Sequence, residues 1–310
     1  MNPPSNVAPE SPLEPRPSAP AASARTRPFY WSVRRELWEN RFLYLAPLVV
    51  AAVVLIGFAV NVIHSAGRAG TPLALHLPND PTPIEQPYAI AAVLLILAGL
   101  LTGGFYCLDA LYGERRDRSI LFWRSLPVSD LTTVLSKASV ALVVLPLITF
   151  AIVVATHLAM LLLHTAVLLA SGTGLAALRI HTPLAELWVA LLYGLAALAL
   201  WHAPLCGWLL LVSAWARRAV FLWASVPPLA ICITEKVAFN TSQFALFLGY
   251  RFWGGFARAF GTARPCCVPH PLATLTPGNL LSTPDLWIGL AVAAIFLAAA
   301  ARMRRYRGPI

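Results

Sequence analysis

The chain has 310 residues, of which 58% are hydrophobic and 12% charged, with a mean hydropathy of +0.70. A soluble domain carries roughly 45–50% apolar and about 25% charged residues, so this composition excludes both an ordinary soluble globule and a disordered chain. The formal charge of +10 comes almost entirely from arginine, the two lysines being Lys137 and Lys236, and beside such an apolar excess it points to a membrane surface rather than to nucleic acid.

Residues 1–28 are Pro, Ser and Ala with scattered charge, which predicts a disordered tail rather than a signal peptide, since no apolar core follows a basic start. FYWSVRRELWENR (29–41) mixes Phe29, Tyr30, Trp31 and Trp38 with Arg34, Arg35, Glu36, Glu39 and Arg41. This pattern predicts an interfacial helix, rings towards lipid and guanidinium groups towards phosphate. Six apolar stretches follow: Leu43–Ile63, Tyr88–Leu108, Ala138–Leu163 (its pattern running on to Ala170), Leu184–Trp215, Ala219–Thr234 and Leu286–Ala301. The fifth and sixth are short for a crossing, and the fifth, interrupted by Pro227 and Pro228, could instead be a re-entrant hairpin. The expected class is therefore an all-α polytopic membrane protein.

With the N-terminus placed in the cytosol, 17 basic residues fall inside and six outside, which predicts an even number of crossings with both ends cytosolic. The long outer connection 235–285 is aromatic in its first half, with rings such as Phe244, Tyr250 and Trp253 expected on the outer leaflet or capping the bundle.

Chemistry leaves few marks. A P-loop needs Gly-Lys followed by Ser or Thr, and neither Lys137 nor Lys236 sits in one, so ATP is not expected to bind this chain. The apolar stretches hold His157 and His202 but no mid-span Asp, Glu, Lys or Arg, which disfavours an ion-coupled carrier. His202 with Cys206, His157 with His164, and Cys266–Cys267 beside His270 are pairs with ligand spacing, but none has a third ligand and no metal site is expected. No hydrolase motif occurs.

The informative segment joins the second and third stretches. Glu114, Arg115, Arg116, Asp117 and Arg118 form a run of mixed charge, and Ile120, Leu121, Phe122 and Trp123 then place four large apolar residues on the cytosolic side. A short helix over about 117–126 is expected, ended by Pro127, with Ser129 or Asp130 capping the next helix. An apolar knob in a charged collar either rests on lipid or enters a groove on a partner.

FYCLDALYGERRDRSILFWRSLPVSD, followed by TVLSK, resembles the permease subunits of type 2 ABC exporters. FYWSVRRELWENR lies where that family has an amphipathic elbow helix, and STPDLWIGLAVAAIFLAAAARMRRYR resembles its last span and basic tail; the likeness covers most of residues 29–307. It implies six spans, an elbow helix and a cytosolic coupling helix seated in a separate ATP-binding subunit, commonly two permeases with two ATPases. ATP and magnesium would then bind the partner rather than this chain. The coupling role would fall on Glu114, Arg115, Asp117, Ser119, Ile120, Leu121, Phe122, Trp123, Arg124, Ser125 and Leu126. The chain would reside in the plasma (inner) membrane as a non-enzymatic transport subunit, among lipid and a second permease copy or homologue. A membrane scaffold that recruits a cytosolic protein through the same loop, and a standalone secondary carrier, are the other readings.

Overall fold

A computed structural model describes residues 28–67, 86–125, 128–170, 184–260, 272 and 275–306. The Pro- and Ser-rich tail up to residue 27, Pro127 and the Cys266–Cys267 pair with His270 lie outside these residues. Among the described residues every regular element is helical: α1 (Pro28–Glu39), α2 (Phe42–Gly67), α3 (Gln86–Asp109), α4 (Tyr112–Arg116), α5 (Ser119–Ser125), α6 (Asp130–Ser139), α7 (Leu145–Ala170), α8 (Leu184–Trp215), α9 (Val220–Phe239), α10 (Gln243–Phe260), α11 (Pro277–Ser282) and α12 (Pro284–Tyr306). Six helical segments are long and apolar enough to cross a membrane, which makes this a multi-pass membrane protein.

The third apolar stretch continues the helix expected to begin at Ser129 or Asp130. Ser129 caps α6, its Oγ accepting the Thr132 backbone N–H at 3.1 Å, and helix then continues from Asp130 to Ala170. One wide turn, Val140–Val144, interrupts it as a π-helical bulge. Pro146 explains the position: it has no N–H to donate, and its ring crowds the carbonyl four residues back, so the turn before it opens.

The fifth stretch forms one continuous helix, α9, of 20 residues, through Pro227 and Pro228. At 1.5 Å per residue it is about 30 Å long, the thickness of a hydrocarbon core. It extends past Thr234 because Glu235 has a structural role there. The chain reverses at Asn240 (φ 49°), and the Glu235 carboxylate accepts hydrogen bonds from Gln243 N–H at 2.6 Å, Phe244 N–H at 2.8 Å and the Thr241 hydroxyl at 2.8 Å. A side chain of α9 thus caps the N-terminus of α10, where the helix dipole favours negative charge.

Lipid offers hydroxyl groups no partner, and two threonines of the spans are satisfied within their own helices. Thr102 and Thr156 donate to carbonyls four residues back, both at 2.7 Å. Small residues bring helices close: a Cβ at Gly207 of α8 would lie 3.3 Å from the Ala293 carbonyl oxygen of α12. Two of the resulting apolar cores matter for the site. One, with Leu43, Tyr106, Val134, Val140, Leu145, Leu210 and Ala300, lies at the end of the bundle that holds α1, α4, α5 and the last turn of α12; we call this the charged end. The other, with Trp201, Phe260, Leu280 and Leu286, is where α10 folds onto α8.

At that second core the aromatic connection does cap the bundle in part. Arg251 of α10 is buried, its guanidinium 4.7 Å from the Trp201 ring centroid and donating to the Asp285 carbonyl at 3.2 Å. Trp201 returns an Nε1–H bond to the Arg251 carbonyl at 2.9 Å, and the Tyr250 hydroxyl donates to the Asp285 carboxylate at 2.9 Å. A side chain at Gly289 would collide with the guanidinium, so glycine there is what lets the arginine lie against α12. Phe247, Phe252 and Trp253 of α10 remain exposed.

Candidate functional site

The charged end is built by five chain segments that are remote in sequence. After α3 the chain turns at Ala110–Leu111, and the Ser213 hydroxyl of α8 accepts the backbone N–H groups of Leu111 at 3.1 Å and Tyr112 at 2.9 Å. This pins the start of α4. Arg118 then adopts a left-handed conformation (φ 58°), which separates α4 from α5; α5 is the short helix expected over about 117–126, and α4 before it was not expected. The break turns α5 so that Ile120 is buried (1% exposed) while Leu121 (56%) and Phe122 (61%) face outward.

The mixed-charge run divides in the same way. Arg116 and Asp117 are exposed and pair with each other at 3.0 Å. Glu114 and Arg115 are buried. Around Glu114 converge Arg35 of α1 at 3.0 Å, Lys137 of α6 at 3.1 Å and Arg304 of α12 at 3.1 Å. A second carboxylate, Glu36, takes Lys137 at 2.7 Å, Arg35 at 2.8 Å and the Tyr106 hydroxyl at 3.0 Å. Arg304 also reaches Asp130 at 3.4 Å. The sequence pattern directed the guanidinium groups of this helix towards phosphate; Arg35 instead turns inward with Glu36, while Arg34, 5.3 and 5.4 Å from the Trp31 and Trp38 ring centroids, stays on the aromatic side.

Such a network is stable only because each charge is compensated; a carboxylate or ammonium left alone there would cost several kcal/mol. Burial pushes the Glu36 carboxyl upward, but the Lys137 ammonium and the Arg35 guanidinium outweigh it and hold it below its ordinary value of 4.5. A carboxyl depressed on folding contributes stability that is present above its unfolded value and lost as pH falls through the folded one. The melting temperature of the purified protein should therefore be level from neutral pH down to about 4.5 and drop below it. Glu36→Gln should flatten that drop. A melting temperature that rises on acidification would contradict the assignment.

The residues singled out from sequence thus have three different fates. Trp123 was expected to project with Phe122. Instead the Arg35 guanidinium stacks on it, 3.6 Å from the ring centroid, and fastens α5 to α1. Phe122 meets it edge-on with centroids 4.9 Å apart, so the outward apolar surface is Leu121 and Phe122 on a tryptophan base. Arg115 lies under the loop, its Nη2 donating to the Ser213 carbonyl at 3.1 Å and to the Ala216 carbonyl. The Ser119 hydroxyl makes a long 3.4 Å bond to the Glu114 carbonyl. Arg124 and Ser125 are part of the α5 backbone, while their side chains, and all of Leu126, lie outside the described residues.

Sequence reasoning missed Arg35, Glu36, Lys137, Arg304 and Ser213 as parts of one site. One signal was available: Val134, Lys137, Ala138 and Ala141 follow helical spacing, so Lys137 falls on the buried face of its helix.

His157 has a structural role. His157 Nδ1 accepts the Trp188 Nε1–H at 3.2 Å, so Nε2 carries the proton that it gives to the Tyr88 carbonyl at 2.9 Å. With both ring nitrogens occupied it has no lone pair for a metal. Among the described residues, no group of three or more His, Cys, Asp or Glu side chains is placed to hold one. No protein-family model, curated protein or solved structure matches this chain.

Proposed function

We propose that this chain is the permease subunit of an ATP-driven exporter of the type 2 ABC class, with α5 as the coupling helix that docks into a separate ATP-binding subunit and α1 as the elbow helix at the membrane interface. One observation carries the reading: an outward-facing Leu121–Phe122 surface on a two-turn helix, backed by a buried ionic network that joins it to α1, α6 and α12. A helix resting on lipid has no need of such a base. A helix that must pass on a push does, because a stroke delivered to a loose loop is lost before it reaches the spans.

On this reading the charged end is cytosolic, in keeping with the excess of arginine in the segments that gather there. The ATPase carries ATP and magnesium, and two permease chains enclose the pathway. ATP binding draws the ATPase subunits together, each shifting its α5, and the equilibrium between inward- and outward-open bundles moves with them.

Tagged chain purified from its native membrane should bring down a protein with a P-loop, and the chain freed of that protein should bind no ATP. Recovery of no ATP-binding protein, or only of a partner that lacks a P-loop, would sink the reading. Topology is checked separately. Single cysteines near Asn279 should react with an impermeant maleimide from outside and those near Arg116 and Arg305 should not; external labelling at Arg305 would reverse the assignment.

A further inference from the structure

We propose that Arg115 is a positioning residue that carries the movement of the α4–α5 loop into α8. The inference rests on the reading that α5 docks an ATP-binding subunit. In the simplest coupling scheme the loop moves only the two spans it joins, α3 and the α6–α7 rod. The hydrogen bonds at its base have a further destination. Arg115, 2% exposed, reaches from α4 to the C-terminal carbonyls of α8 at Ser213 and just past it at Ala216. A guanidinium at that position completes the orphan carbonyls of the last turn and complements the helix dipole. From the opposite direction, the Ser213 hydroxyl of α8 holds the N–H groups of Leu111 and Tyr112. The loop and the end of α8 are thus joined by bonds in both senses, so neither can shift without the other.

What α8 does with that movement is set by its other contacts. It is a single helix of 32 residues, and its far half holds α10 through Trp201, with Tyr193 packed edge-on against Phe260. A displacement at Ser213 is carried along this rod to the second core, about 18 Å away at Trp201 by helical rise. Arg115 therefore links the partner's stroke to the α10 side of the bundle, while the Glu114 network links it to α1, α6 and α12.

The test uses the complex of this chain with its ATP-binding subunit in lipid nanodiscs, on a background with the five native cysteines replaced. Val189→Cys, at the exposed far part of α8, is titrated with a maleimide without nucleotide and with ATP plus orthovanadate. The parent should show a nucleotide-dependent change in modification rate. Arg115→Gln should lose that change by a larger factor than it loses recovery of the ATPase or hydrolysis, and Arg115→Lys should restore part of it. A purely structural role would lower yield and leave the response of the surviving protein intact. Persistence of the full response in Arg115→Gln overturns the proposal, as does a parent complex with no response at Val189→Cys. If Arg115→Gln does not accumulate, Ser213→Ala decides: a diminished response supports the link and an undiminished one removes it. Failure of the parent chain to recover any ATP-binding subunit defeats the docking reading itself, and this inference with it.

Discussion

If α5 docks an ATP-binding subunit as proposed, replacing Phe122 by alanine should weaken that binding by about thirtyfold, the equivalent of roughly 2 kcal/mol for a central aromatic anchor. The side chain is 61% exposed, yet it rests edge-on against Trp123, so its truncation removes contact surface without opening the core of the chain. Leu121→Ala should have a smaller effect of the same kind. Trp123→Ala should behave differently, because that ring holds Arg35 and joins α5 to α1. Its expected signature is a lowered melting temperature together with weaker docking, whereas Phe122→Ala lowers affinity alone. Asp117→Ala, on the exposed rim, should have a small, salt-dependent effect. The measurement is recovery of the ATPase at graded concentrations, with membrane levels of each variant matched. Full recovery with Phe122→Ala and Leu121→Ala combined would transfer this surface from a protein partner to lipid.

The second large effect is expected at Lys137. Its ammonium is shared between Glu36 at 2.7 Å and Glu114 at 3.1 Å and is 2% exposed. Lys137→Met leaves two buried carboxylates with fewer cations and should cost about 3–5 kcal/mol, the usual penalty for removing one member of a buried pair. Glu36→Gln should also destabilise, since it strips Arg35 and Lys137 of a carboxylate. The double variant should regain much of the loss, because a neutral pair of similar volume carries no uncompensated charge. Thermal unfolding of the four proteins in one detergent closes the cycle. Simple additivity of the two single effects would show that the residues are not coupled.

The crossings were legible in the sequence because lipid imposes a length and a composition that few other environments do, and all six apolar stretches became long apolar helices. Their limits were less legible. The helix capped at Ser129 was expected, but not the burial of Thr133 and Ser136 within it, where hydroxyls bond back to carbonyls of the preceding turn. Glu235 and Lys236 looked like the end of a span, and the reason the helix continues is a cap on the next helix, a contact that hydropathy does not record. At the candidate site the outward position of Leu121 and Phe122 followed from local pattern. The burial of Glu114 did not, because its partners sit 79 residues before it, 23 after and 190 beyond, and charge alone does not reveal which neighbours the fold supplies. The break at Arg118 carried no glycine or proline to announce it.

The wide turn at Val140–Val144 acts as a phase adjuster. Each residue of an α-helix advances the side chains by about 100°, so one residue more or fewer between Lys137 and α7 is a rotation rather than a mere change of length. The i→i+5 turn takes up one residue more than an α turn does, so Lys137 keeps its face towards Glu36 and Glu114 while α7 keeps its place against α2 and α3. Exchange of one aliphatic residue for another, and loss of one residue from the wide turn, should therefore be tolerated, whereas one residue inserted into the regular helix on either side should not, since what the stretch preserves is an angle.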